Sequence, residues 1–353
     1  MDMFRIPLGD FVETLIGWVT AVLGGLFDVI ATIFSAFYDG VDWLFSTPSL
    51  VAMIVVAVVL GGVTWLTRGR TDGLIVGIAL LVVDLGGWFT VPLDVWNAAV
   101  VAAALVAVAW LAKGLRLAIG TLIGLLVIVA VDQWENAMDT LALTLVAVVI
   151  AVIIAIPLGI WAARSQTVSK IVRPVLDFLQ TMPAFVYLIP AIFLFGIGVV
   201  PGMVATILFA VAPGVRLTEL GIRGVDQEVV EAGNAFGATP GRILRQIQLP
   251  LAMPSIMAGV NQVIMLALSM AVIASMVGAP GLGKDVIQAL SRTDISLGFE
   301  AGLSVVILAM ILDRVTSGFG AVKRPRRKAV AAAAPADDSV QASASAPRTP
   351  ATV

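Results

Sequence analysis

Between Arg216 and Pro250 the chain gathers Glu228, Glu231, Arg242 and Arg245, although almost everything on either side of that interval is apolar. Polar residues and backbone on this scale find no hydrogen-bond partners in hydrocarbon, so the interval belongs in water. Its residues spell two short helices. Gly237 suits the left-handed position that ends a helix, Thr239 an N-cap, and Pro240 the first helical position after it. The first helix, about 227–236, carries Glu228 and Glu231 on its exposed faces; the second, about 240–249, leads through Ile247, Leu249 and Pro250 back toward apolar sequence. Carboxylates on a short, water-exposed helix do the chemistry of docking, steering and registering a charged partner. Any water-exposed helical hairpin shares these features, so the rest of the chain has to decide what docks.

A second motif, Gly278-Ala279-Pro280-Gly281-Leu282-Gly283-Lys284, has the GxxxxGK outline of a phosphate-binding loop. It lacks the rest of that chemistry. Asp285 stands where a magnesium-binding Ser or Thr is needed and no strand precedes the glycines, which read instead as a tight turn after an apolar run. The chain also has no cysteine and no histidine. That removes disulfides, thiol nucleophiles, the commonest metal ligand and the commonest general base. An enzyme is disfavoured on these grounds, and no cofactor is expected on this chain.

The elements that position the docking interval are membrane spans. Of 353 residues, 60% are hydrophobic and 12% charged, with a mean hydropathy of +1.05, far outside the range of soluble domains. Runs of roughly 20 residues, long enough to cross a bilayer, fall near 49–66, 73–90, 95–112, 117–131, 140–163, 183–200, 202–216, 251–278 and 299–316. Arg68 and Arg70, Lys113 and Arg116, Arg164, Lys170 and Arg173, Arg216 and Arg223, and the cluster Lys323 to Lys328 lie at alternate ends of these runs. By the positive-inside rule those ends are cytoplasmic, which puts the N-terminus outside and the C-terminus inside an inner membrane. The basic cluster reads as a cytoplasmic flank and not as a nucleic-acid site.

Residues 1–47 read as an amphipathic segment in the membrane interface, with a small and polar stripe from Asp10 through Thr20 and Asp28 to Ser35 opposite a wide apolar arc. A full span is the alternative. A cleavable signal peptide is disfavoured because Asp2 and Glu13 spoil a basic n-region and no small-x-small site follows. Residues 48–139 hold accessory spans, 140–318 the core with its loop at 216–250, and 319–353 a basic tail expected to be disordered.

Membrane-embedded polar groups are few. Pro183, Pro190, Pro201 and Pro213 interrupt 183–216 and predict helices that are short, kinked or re-entrant. Pro183, Tyr187, Pro190, Asn261 and Ser269 are the candidates for lining a translocation path; interhelical hydrogen bonds are the competing role for Asn261, Gln262, Ser269 and Ser275. The interiors of 140–163, 183–216 and 251–278 hold no charged side chain except Arg216 at the very end of one. A proton or sodium relay needs such groups at depth, so an ion-coupled carrier is disfavoured.

The pair Glu231-Ala232, the following Gly237, and Ile247-Gln248-Leu249-Pro250 after nine intervening residues resemble the cytoplasmic EAA loop through which ABC importer permeases meet their ATPase. Gly233 departs from that pattern, which has a second alanine there. The stretches PLGIWAARS (157–165), LDFLQTMPAFVYLIPAIFLFGIG (176–198), VRLTELGIRGV (215–225), EAGNAFGATP (231–240) and the long block 248–283 are similar to the permease subunit of glycine betaine/proline osmoprotectant ABC importers. The resemblance covers about 140–318. It implies an all-α polytopic bundle with the type I importer fold, ATP and magnesium bound by a separate cytoplasmic ATPase, an extracytoplasmic substrate-binding protein on a separate chain, and a homodimer of permeases in the lipid bilayer. It implies Glu228, Glu231, Ala232, Gly237, Ile247, Leu249 and Pro250 as the coupling loop. Another ABC importer, for an amino acid or organic ion, shares these features, and a carrier or channel is the more distant alternative.

Overall fold

A computed structural model describes residues 8–46 and 93–320. The expected spans at 49–66 and 73–90, the basic cluster after residue 320 and the tail lie outside the described residues. Every regular element described is a helix: α1 Leu8–Ser46, α2 Leu93–Lys113, α3 Leu115–Ala130, α4 Trp134–Arg164, α5 Gln166–Thr181, α6 Ala184–Phe195, α7 Val199–Arg223, α8 Gln227–Ala235, α9 Pro240–Ile243, α10 Leu249–Ala274, α11 Leu282–Arg292 and α12 Ile295–Gly320. Five are long and apolar enough to cross a membrane: Glu13–Phe45, Trp134–Arg164, Val199–Arg223, Pro240–Val277 and Ile295–Gly318. The protein is a multi-pass membrane helix bundle.

Its centre is α4, α7 and α10, and small residues set how closely they approach. A Cβ on Gly159 of α4 would come within 2.8 Å of the Val215 carbonyl of α7, and one on Gly214 within 2.8 Å of the Ala155 Cβ. Across the other face of α7, the Cβ position of Gly259 is 3.4 Å from the Gly214 Cα. Alanines 147, 151, 210 and 267 fill the space between. Helices in lipid gain nothing by hiding apolar surface from lipid, so dispersion contact between close backbones holds such a bundle together. This explains why glycine and alanine, rather than leucine, occupy the contact lines.

Several predicted spans come out differently. The 117–131 run is a helix of only 16 residues, about 24 Å long, short of the hydrocarbon thickness of about 30 Å. The 183–200 run is not one span: α6 has 12 residues and is bent 101° from α5 at Met182-Pro183. Gly196 and Gly198, with φ of +78° and +144°, then turn the chain into α7. The break is thus confined to 182–198. Despite Pro213, α7 continues unbroken for 25 residues to Arg223, seven beyond the expected end at 216. Segments 166–181 and 282–292, which lie between the expected apolar runs, are the amphipathic helices α5 and α11. They have too few apolar residues in a row to stand out as spans.

α1 is a single helix of 39 residues. Phe27 meets Phe195 edge to face at 5.5 Å. Tyr38 is buried in a cluster with Ala142, Leu143, Met203 and Ala279, residues from the start of α4, the start of α7 and the turn before α11. The outward side of α1 exposes Leu15, Trp18, Val22, Leu26, Val29, Ile33 and Phe37. Apolar residues therefore occupy two sides of this helix, one against protein and one outward.

Contacts sort the helix ends into two groups. At one end Lys113 donates to Ser317 Oγ at 2.7 Å, and Arg223 donates to the Ala162 carbonyl at 2.8 Å. At the other, Asn136 donates to Asp285 at 2.6 Å, the Leu282 amide to Thr140 Oγ1 at 2.8 Å, and the Gly198 amide to the Val277 carbonyl at 3.0 Å. In each of these contacts the two partners come from ends expected to share one side of the membrane.

Candidate docking site at the α8 loop

The docking interval begins where α7 stops. Asp226 caps α8, its carboxylate accepting the Glu228 amide at 3.0 Å. This supplies one orphan donor of the first turn with a partner and favours the helix dipole. At the other end the Gly237 amide donates to the Asn234 carbonyl at 2.9 Å and the Ala238 amide to the Gly233 carbonyl at 3.1 Å. Those two bonds, with Gly237 at φ +74°, make a Schellman stop. So α8 has nine residues, fixed at both ends by its own sequence.

The second helix is not a separate element. Thr239 has the extended backbone of an N-cap and its carbonyl accepts the Arg242 amide at 2.9 Å, but its hydroxyl makes no capping bond. From Pro240 the chain runs through α9 and a π-helical turn, Leu244–Gln248, directly into α10. The Leu249 amide reaches back to the Leu244 carbonyl. Pro250 has no amide hydrogen to offer, and the wider turn before it adapts the ladder to that loss. The expected two-helix hairpin is thus one free helix, α8, packed on the water-side extension of a membrane helix.

Glu228, Glu231 and Ala232 are exposed on α8, and Gly237 and Pro250 are exposed at their turns. Ile247 and Leu249 are half-buried and form the support beneath. A Cβ on Gly233 would lie 2.8 Å from Ile247 Cδ1, so the glycine lets α8 settle on the π turn. Two residues not singled out from sequence complete the surface: Phe236 is 91% exposed and Val229 42%. Phe236 is thus a bare phenylalanine at the end of a capped, otherwise polar helix. Its signal in the sequence was an isolated aromatic residue inside a polar run.

Behind α8 lies a cleft of about 640 Å³ lined by Arg164, Arg223, Gln227, Glu231, Asn234 and Gln248 among others. Next to it Glu219, buried on α7, accepts Ser169 Oγ at 2.7 Å and Arg173 at 2.9 Å from α5, and pairs with Arg223 one turn on at 3.0 Å. Arg223 also donates to Gln166 at 2.9 Å, and Arg216 pairs with Asp177. This network ties α5 and the end of α4 to the stretch of α7 that launches α8. It also explains how α7 extends past 216: its polar residues face α5 instead of needing a loop.

The five path candidates fall on two helices, Pro183, Tyr187 and Pro190 at or within α6 and Asn261 and Ser269 within α10, and Tyr187 packs in a cluster with Met270. Tyr187 is buried, its hydroxyl bonded to the Leu179 carbonyl and its ring 6.2 Å from Phe209, so it secures the α5–α6 bend. Asn261 donates to Asp313 at 3.0 Å and accepts from Thr316 at 2.6 Å, which spends it on α12. Both side chains are engaged within the bundle. Pro183 caps α6 and is exposed, Pro190 is half-buried within α6, and Ser269 is exposed on α10.

Comparison with known proteins gives the family. The family model for the binding-protein-dependent transport system inner membrane component matches residues 155–328. The chain is 42% identical over 326 residues to the glycine betaine transport system permease protein OpuAB of Bacillus subtilis, covering 92% of this chain and 98% of that one. It is 43% identical over 315 residues to the glycine betaine/carnitine transport permease protein GbuB of Listeria monocytogenes, covering 89% and 95%. It is 54% identical over 219 residues to the glycine betaine/proline betaine permease protein ProW of Salmonella typhimurium, covering 62% of each. In fold it is similar to a chain of an inward-facing MetNI methionine ABC transporter, at a TM-score of 0.50 and 20% identity over 53% of this chain and 94% of that one. Related over nearly its full length to OpuAB and GbuB, the chain belongs to the family of binding-protein-dependent transport system inner membrane components.

Proposed function

We propose that this chain is the translocating permease of an ATP-driven importer for quaternary ammonium and proline-type compatible solutes, glycine betaine foremost. The observation that carries the reading is α8. A helix capped at both ends, with Phe236, Val229, Glu228 and Glu231 exposed, is built to receive a partner from the water side. The partner is a cytoplasmic ABC ATPase that binds ATP and magnesium. An extracytoplasmic binding protein delivers the solute, and two copies of this chain enclose the path, each offering one α8 to one ATPase. The end of the bundle bearing α8, Arg164 and Lys113 faces the cytoplasm, in keeping with its arginine and lysine content.

The solute class is supported by the relatives, which are betaine, carnitine and proline betaine permeases. A carrier or channel working alone has no use for a docking helix fixed so firmly. The test is purification of the tagged chain from its native membrane, followed by reconstitution with its ATPase and binding protein. Radiolabelled glycine betaine should accumulate only with ATP and both partners, and choline, carnitine and proline should be ranked as competitors. Uptake that proceeds without the ATPase and collapses with an ionophore would overturn the proposal.

A further inference from the structure

Gln262 stands halfway along the 26-residue α10, exposed, and makes no hydrogen bond among the described residues. Its neighbour Asn261 points the other way and is engaged with α12. The exposed positions around Gln262 recur at three or four residues as Ala258, Gln262, Met265 and Ser269, and the line continues to Met276 in the 3₁₀ turn that follows. On the opposite side Gly259, Val263, Ala267 and Met270 are buried against the bundle.

A primary amide has two donors and an acceptor to satisfy, and acyl chains offer nothing to any of them. Serine can fall back on its own helix, and Ser269 does so, donating to the Met265 carbonyl at 3.0 Å. Glutamine has no such retreat here. Lipid is therefore the one surrounding this face does not suit, which leaves water or another protein surface. The stripe is uncharged, and a neutral lining is suited to passing a solute that must bind weakly and leave.

We infer that this stripe lines the aqueous translocation path, with Gln262 contacting the solute in transit. The class of solute is a small zwitterion with a methylated ammonium head and a carboxylate. The amide N–H groups of Gln262 can donate to the carboxylate, and the polarizable thioether of Met265, one turn along the same face, can lie against the methylated head. The solute contact rests on the import reading above; the water-filled path does not.

The absence of cysteine makes the test direct. Gln262→Cys, Ser269→Cys and Asn261→Cys are each reconstituted with the ATPase and the binding protein. They are then exposed to 2-(trimethylammonium)ethyl methanethiosulfonate, a thiol probe that cannot cross lipid and carries the expected head group. The path predicts that the Gln262→Cys and Ser269→Cys variants react during ATP turnover and lose uptake, while the Asn261→Cys variant stays unmodified. Glycine betaine in excess should slow the reaction of the Gln262→Cys variant. Two results would overturn the path. In one, the Gln262→Cys thiol is modified by membrane-soluble N-ethylmaleimide and never by the charged probe, as a lipid-facing thiol would be. In the other, it joins its counterpart in a disulfide while refusing the charged probe, as a dry contact between copies would. Reaction of both the Gln262→Cys and Ser269→Cys variants without protection by betaine would keep the path and overturn the solute contact. Because modification is read directly by mass, failure of the path and failure of the betaine reading are separate outcomes.

Discussion

Gly237 has φ +74° and nothing within 4 Å of where a Cβ would sit, so a replacement meets backbone strain and no collision. The left-handed region costs a non-glycine residue about 1 kcal/mol or more, and a β-branched one the most. Gly237→Val should therefore loosen the Schellman stop and misplace Phe236 while leaving the membrane core intact. Glu231→Lys reverses a charge at the rim of the cleft without touching any buried group. Both variants are expected to reach the membrane at normal abundance, lose betaine uptake, and show weakened or uncoupled ATPase turnover. Unimpaired uptake by Gly237→Val at equal abundance would remove the α8 loop from the coupling machinery. Gly233 behaves differently, because its neighbour Ile247 Cδ1 is the free end of a flexible side chain. Gly233→Ala gains up to about 1 kcal/mol of helix propensity and should leave uptake intact, while Gly233→Leu should abolish it. These positions differ in how readily the sequence discloses them. Gly237, Thr239 and Pro240 declare themselves because turn chemistry is local. The contact that Gly233 serves and the role of Glu219 depend on side chains brought in from the π turn after α9 and from α5.

Glu219 joins residues to elements. Its carboxylate holds Ser169 and Arg173 of α5 and Arg223 of its own helix, and it is only 4% exposed where Arg173 is 58% exposed. Removing it strands partly solvated cations, so water replaces some of what is lost and the cost should be about 1–3 kcal/mol. Glu219→Ala is expected to lower the detergent-solubilised melting temperature by several degrees, and Glu219→Gln by less, since the amide oxygen still accepts from Ser169. Equal melting of all three proteins would mean that the network holds nothing. The long helices α4, α10 and α12 were legible as apolar runs, and helices stand at 95–112 and 117–131 as well. Missing were α5, α11 and the continuation of α7, all of which mix polar and apolar residues so that no run is long. The polar side of α5 becomes intelligible only beside Arg216, Glu219 and Arg223. For α1 the sequence favours the interface, and the observed contacts of Phe27 and Tyr38 involve one end of the bundle. Single cysteines at Glu13 and Gly40 should accordingly both react with an impermeant thiol reagent from outside intact spheroplasts. Reaction of Gly40→Cys from outside and Glu13→Cys only from inside would make α1 a span.

At the scale of the whole molecule, the alternation of arginine and lysine ends and the grouping of helix ends in space are independent constraints on the same topology. The first comes from sequence and says which loops share a side. The second comes from contacts such as Lys113 to Ser317 and Arg223 to Ala162, and it sorts the loops the same way. Neither says which side is the cytoplasm; that step rests on the charge rule. Cysteines at Ser165, Gln227 and Ser317 are therefore expected to be shielded from an impermeant reagent in intact cells and to react once the membrane is opened. Cysteines at Gln133 and Thr293 should react at once. Labelling of Gln227→Cys from outside would invert the bundle and put α8 out of reach of any ATPase. The same cysteine variants can count subunits. A path enclosed by two identical permeases requires a closed two-fold pair, so mass measurement of the lipid-embedded complex should find two copies of this chain for every two ATPases. One copy, or one copy beside a different permease, would remove the symmetry on which a path shared by two identical copies depends.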